Sequence, residues 1–219
     1  MTYMIHACPL REWYVNDFLI PSMTAQGIPR ENITVWMDTA GVGNLASCIA
    51  SFASCGRDGE TWHLQDDVII CRDFFARTRD APEGIVCGFC VDEYEDEDAE
   101  IGETIARFMW HSSFQCIKIP NAIAAEFVEW YRMEASVRRD DLAEYIASGK
   151  MDDTLFRIFM LEHHFGMPVL NLVPHLVDHV DSLIGGSIIN EHREFVARSP
   201  YWKDENLISE LQEKLASRK

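Results

Sequence analysis

Basic residues are scarce in this chain. Lys and Arg total 19 against 36 Asp and Glu, a formal charge of −17. Such a surface does not favour a polyanionic partner, because neutralising phosphates takes clustered Lys and Arg. A local basic groove would be needed for one. Long apolar runs are missing too, and none approaches the ~18 residues of a membrane span. The first residues, MTYMIHACPLREWY, have neither the basic n-region nor the apolar h-region of a secretion signal. The seven cysteines are odd in number and scattered, which does not make a disulfide framework. Most lie in apolar runs, where a free thiol behaves as a small hydrophobe. Together these absences lead us to expect a reduced, cytoplasmic protein. Internal repeats and long linkers are absent as well. The 219 residues are expected to form one domain over 1–198 with a short helical tail over 199–219.

What is present alternates. YMIHAC (3–8) reads as a strand and WYVNDFLIPSMTAQG as a helix that Gly27 stops. NITVWMD (32–38) reads as a second strand, and AGVGNLASCIASFASC as a glycine-rich loop opening a helix. TWHLQDDVII reads as the next strand, FFARTRDAP as a short helix, and GIVCGFCVD (84–92) as another strand. FQCIKIP follows as a strand and NAIAAEFVEWYRM as a helix with Asn121 at its N-cap. KMDDTLFRIFMLEHHFG is an apolar-faced helix ending at Gly166. MPVLNLVP is the last strand, and HLVDHVDSLIGGS a loop. The acidic run DEYEDEDAE (92–100) reads as a solvated loop. This alternation predicts an α/β fold with a mostly parallel central sheet flanked by helices.

Several acids and one arginine fall at strand ends. In open α/β sheets ligands bind beyond the carboxyl ends of the strands. Asp66 and Asp67 are adjacent inside TWHLQDDVIICRDFF, a run that otherwise reads as buried. Two neighbouring buried carboxylates need a cationic partner. A hard divalent ion, Mg²⁺ or Mn²⁺, would suit them, and an exposed turn would remove the need. Arg11 follows the first strand, where it is either a surface residue or a phosphate ligand. Asp38 ends the second strand, placed to accept from a base imide or a ribose hydroxyl. Asp152 and Asp153 start a helix, where a carboxylate is either a cap or a general base. His175 and His179 lie in the C-terminal loop, and Gly185 and Gly186 can offer backbone N–H groups to a phosphate. Lys118, Arg132, Arg138 and Arg139 are the candidates for a basic patch, and Trp110, His111, Trp130 and Tyr131 for a stacking face. Trp130 also fits a core stripe. Cys87 and Cys90 form a CxxC pair inside an apolar run, without the helix start that a redox motif needs.

The order strand–Arg, strand–Asp, strand–Asp-Asp, helix-start Asp, C-terminal His resembles the nucleotide-diphospho-sugar glycosyltransferases of the GT-A fold. HACPLREWYVNDFLIPSM looks like their first strand and helix. QDDV is similar to their acidic metal motif, with Gln65 in place of the first acid. VPHLVDHVDSLIGGS resembles a segment near the end of several such families, with His179 at the matching position and His175 where a Ser is usual. The likeness covers roughly residues 1–190, and small stand-alone members of this kind resemble phage enzymes. It implies a Mn²⁺ or Mg²⁺ ion on Asp67 and His179, with Asp66 on a ribose or a metal-bound water. It also implies Arg11 and Asp38 on the nucleotide and, for inversion, Asp153 or else Asp152 as the base. The donor would be a nucleotide-sugar, most commonly of uridine. The acceptor would be a hydroxyl reachable from the cytosol: a sugar, a protein, or a hydroxymethylated DNA base as in some phage enzymes. A metal-dependent nucleotidyltransferase or hydrolase using Asp66, Asp67 and His179 is the competing expectation. It usually needs a basic glycine-rich loop, and AGVGN (40–44) has no Lys or Arg.

Overall fold

The computed structural model describes residues 1–89, 104–108, 114–135, 142, 144, 152–172, 175–180, 184 and 205–218. Its strands are β1 (Thr2–Ala7), β2 (Ile33–Met37), β3 (Glu60–Gln65), β4 (Val68–Ile70), β5 (Val86–Cys87), β6 (Thr104–Phe108), β7 (Cys116–Pro120), β8 (Pro168–Leu172) and β9 (Val177–His179). A seven-stranded sheet has the order β2-β1-β3-β7-β5-β8-β6, and β4 and β9 form a separate ribbon. β1 is parallel to β2 and β3, and β5 to β8, while β7 runs against β3 and β5, and β6 against β8. Five strands therefore share one direction, as the strand–helix alternation predicts.

The helices are α1 over residues 9–25, α2 (Asn44–Ser54), α3 (Phe74–Arg79), α4 (Asn121–Trp130), α5 (Asp152–His163) and α6 (Glu205–Ser217). Alternate strand residues feed two cores, as the period of two requires. Tyr3, Ile5, Trp62, Leu64 and Cys116 face a cluster shared with α1. Ile117 and Ile119 face the opposite cluster with α2, α4 and α5. Trp130 belongs to that second core, stacked on Phe127, with its Nε1 donating to Glu162. Asn121 does not cap α4 with its side chain. It accepts from Thr61 and donates to the carbonyls of Cys55 and Asp58, stapling the turn before β3.

Helix α1 shows how sequence sets local geometry. Pro21 has no N–H for the Asp17 carbonyl, and a wide π-turn over Val15–Leu19 precedes it. The spare Asp17 carbonyl accepts from Lys214 on α6 instead. Arg218 pairs with the Asp17 carboxylate and lies 4.3 Å over the Trp13 ring. Leu211 of α6 is fully buried in the first core. Leu211→Ala should therefore cost about 2–5 kcal/mol, read by urea denaturation; a loss under about 0.5 kcal/mol would mean that α6 is only loosely attached.

Three strand expectations change. TWHLQDDVII is not one strand: it breaks into a turn at Asp66 and Asp67, and β4 leaves the sheet to pair with β9. Residues 177–179, expected in a loop, are the other half of that ribbon. Strand β6 was not legible in the sequence. GIVCGFCVD is strand only at Val86–Cys87 within the described residues.

Candidate functional site

Parallel pairing brings three strand ends level. Ala7 pairs with Met37, and His6 with Gln65. The next residues, Cys8, Asp38 and Asp66, thus share one edge of the sheet. The Asp38 N–H donates to the Ala7 carbonyl at 2.8 Å, and the Cys8 N–H to Asp66 Oδ2 at 2.7 Å.

The cation opposite the two carboxylates is Arg11. Its Nη1 lies 2.9 Å from Asp66 Oδ1 and 2.8 Å from Asp67 Oδ2. The exposures are 6% for Arg11, 6% for Asp66 and 8% for Asp67, so Arg11 is not a surface arginine. Burial, and then the neighbouring Asp67 charge, still push the Asp66 carboxyl up despite the guanidinium. Tyr14, one helical turn on, donates its hydroxyl to the Val68 carbonyl at 2.8 Å and pins α1 to β4.

The β4–β9 ribbon delivers His179. Val68 pairs with His179, the Val180 N–H donates to the Asp67 carbonyl, and His179 Nδ1 lies 3.8 Å from Asp67 Oδ1. His179 rather than His175 faces the carboxylates. The His175 carbonyl accepts from Arg77, and its ring sits beside Phe89. Gly88 makes the ribbon's approach possible. A Cβ there would lie 2.8 Å from both Cys116 Sγ and Leu176 Cδ1, and the Leu176 N–H reaches the Gly88 carbonyl at 2.6 Å.

Asp38 is committed to the glycine-rich loop. Its carboxylate accepts from the N–H groups of Val42 and Gly43 at 3.0 and 3.2 Å. Gly43, at φ 92°, then opens α2, a backbone shape that favours glycine. At the head of α2, Asn44 donates to Asp152 Oδ1 at 2.9 Å. Asp152 is buried, and burial followed by the Asp153 charge raises its carboxyl to about 7. Asp153 is more exposed and accepts from the Thr154 N–H at 2.7 Å, as a helix-start carboxylate does.

No family model matches the chain, and no curated protein is significantly similar to it.

Two features were missed from the sequence. Asn44 holds Asp152, and its place just after Gly43 at a helix start was the available signal. Ser51, His6 and His63 form a largely buried hydrogen-bonded chain, with Ser51 Oγ 3.1 Å from His6 Nε2 and that nitrogen 3.0 Å from His63 Nδ1. Burial lowers His6 to about 4 and His63 well below the usual histidine range, so both rings are neutral. Only strand register puts these histidines together.

Lys118 is not part of a basic patch. It is 3% exposed, 2.8 Å from Glu60 and bonded to the Pro82 carbonyl. Gly185, Gly186, Trp110, His111, Arg138, Arg139, Cys90 and the 92–100 run lie outside the described residues. Among the described residues no group of three or more His, Cys, Asp or Glu is arranged to hold a metal ion. Asp66, Asp67 and His179 nonetheless offer the oxygen and imidazole donors that Mn²⁺ or Mg²⁺ takes. The donor types fit; their charge is partly offset by Arg11. No described helix is long and apolar enough to cross a membrane.

Proposed function

We propose that the protein is a metal-dependent glycosyltransferase of the GT-A kind, taking a sugar from a nucleoside-diphosphate donor, most simply UDP-sugar, to an acceptor hydroxyl. The observation that carries this reading is the convergence of Arg11, Asp66, Asp67 and His179 at the carboxyl edge of parallel strands. It is supported by the buried Asp152 poised near neutrality, tied through Asn44 and the loop held by Asp38 to that same edge.

In this reading Asp67 and His179 hold the divalent ion, with Asp66 beside them. The bound ion would neutralise charge growing on the departing diphosphate. Arg11 holds phosphate oxygens through its planar fork. Asp152 takes the proton of the acceptor hydroxyl, a role for which an acid near the working pH is best suited. Asp153, first choice from sequence, is second to Asp152, because it is spent on the start of α5. A nucleotidyltransferase is less well supported. The glycine-rich loop carries no cation, and Asp38 already takes the N–H groups of Val42 and Gly43 that a phosphate would use. With Lys118 buried, a DNA acceptor loses one of its few basic contacts.

Thermal melts with UDP, GDP, CDP and ADP, each with and without Mn²⁺, test the reading. One nucleotide at about 100 times its Kd should add ~2.7 kcal/mol, or roughly 5–10 °C, only when Mn²⁺ is present. The shift should vanish in Asp67→Ala. No shift with any nucleotide overturns the proposal.

A further inference from the structure

A divalent ion at Asp66 and Asp67 has a competitor already in place. Arg11 Nη1 touches both carboxylates, at 2.9 and 2.8 Å, and all three side chains are buried. Neither contact is a loose surface pair. We infer that Arg11 is the built-in counter-ion of this carboxylate pair, and that divalent ion and nucleoside diphosphate displace it together, moving its guanidinium from the carboxylates to the diphosphate. The inference rests on the transferase reading and specifies how its site is loaded.

Charge balance gives the reason. Among these three side chains, two carboxylates and one guanidinium leave one negative charge. A divalent ion alone would turn it to one positive charge in a buried place, with the guanidinium pressed against the ion. The diphosphate of a nucleotide-sugar, esterified at both ends, brings two negative charges and offers the guanidinium a bidentate partner. Ion and diphosphate entering together therefore return the cluster to its starting charge, and either one alone does not. The backbone need not move. Arg11 N–H is held by the Cys8 carbonyl at 3.0 Å and Tyr14 anchors the next turn, so the exchange is a rotation of one long side chain. His179 Nδ1, 3.8 Å from Asp67 Oδ1, is close enough to join the ligands once the guanidinium has left.

The test is Mn²⁺ binding followed by the EPR signal of the free ion, on full-length wild type, Arg11→Gln and Arg11→Lys, with and without UDP. Circular dichroism establishes that each variant is folded, and Arg11→Lys keeps a cation should Arg11→Gln not fold. Without UDP, Arg11→Gln should bind Mn²⁺ at least ten-fold more tightly than wild type. Arg11→Lys, whose single point charge cannot span both acids, should fall between. UDP should tighten Mn²⁺ binding at least ten-fold in wild type and much less in Arg11→Gln, because the coupling passes through Arg11. Equal Mn²⁺ affinity of wild type and Arg11→Gln without UDP overturns the exchange; if UDP still promotes Mn²⁺ binding there, the transferase reading survives. Absence of Mn²⁺ binding by every variant under both conditions overturns the exchange and the metal-dependent reading alike.

Discussion

On the proposed transferase reading, Asp152→Asn should abolish most turnover and at the same time make the protein more stable at pH 8. The two effects share one cause. Asp152 is buried beside Asp153, and its carboxyl is raised to about 7. In the unfolded chain it has an ordinary carboxylate value near 4. Below that value both states are protonated and Asp152 costs nothing. As pH rises toward 7 the unfolded chain releases its proton while the folded one keeps it, so stability falls across that window. At pH 8 the accumulated cost is roughly 2–4 kcal/mol, at ~1.4 kcal/mol per unit. Asparagine has no charge to bury and keeps an oxygen for Asn44 Nδ2. The variant should therefore melt about 4–15 °C higher than wild type at pH 8, with the gap closing near pH 4. Loss of a general base costs ~10²–10⁴ in rate, and nucleotide binding should persist. A variant with wild-type turnover removes Asp152 from the chemistry. One with unchanged stability at pH 8 means that its carboxyl is not perturbed.

The candidate site was half legible in the sequence, and the half that failed is instructive. Strand ends carrying Arg11, Asp38 and the Asp66–Asp67 pair could be read because parallel strands align their carboxyl ends. What each residue touches could not. Taken alone, Arg11 looked more like a surface residue, since nothing in CPLRE announces that its side chain folds back toward a turn 55 positions later. QDDVII looked like one strand because Val68, Ile69 and Ile70 are as apolar as a strand interior. Their burial comes instead from the ribbon with Val177–His179, a pairing of distant segments. The same distance hid the Ser51–His6–His63 chain. Order along the chain put Asp153 ahead of Asp152 among the helix-start acids, on resemblance alone. Burial against Asn44 and Cys48 separates them, and that is a tertiary fact.

Arg11→Ala should be the most destabilising single change in the site. It leaves Asp66 and Asp67 adjacent, buried and without their guanidinium, and breaking a buried ion pair from one side costs about 3–5 kcal/mol. For a chain of this size that is roughly 6–20 °C in Tm. The loss reflects stranded charge rather than lost packing, so it should be recoverable by removing a charge. Arg11→Ala combined with Asp67→Asn should be more stable than Arg11→Ala alone, although it carries one more substitution. Asp67→Asn alone should cost little, since one carboxylate against one guanidinium is better balanced than two. Mn²⁺ should raise the Tm of Arg11→Ala more than that of wild type, because it replaces the missing cation. Additive losses in the double variant would mean that Arg11 contributes mainly through its alkyl stem. Suppression would show that the two carboxylates are held in place by whichever cation is present, and that the fold keeps this pair at some cost to its own stability.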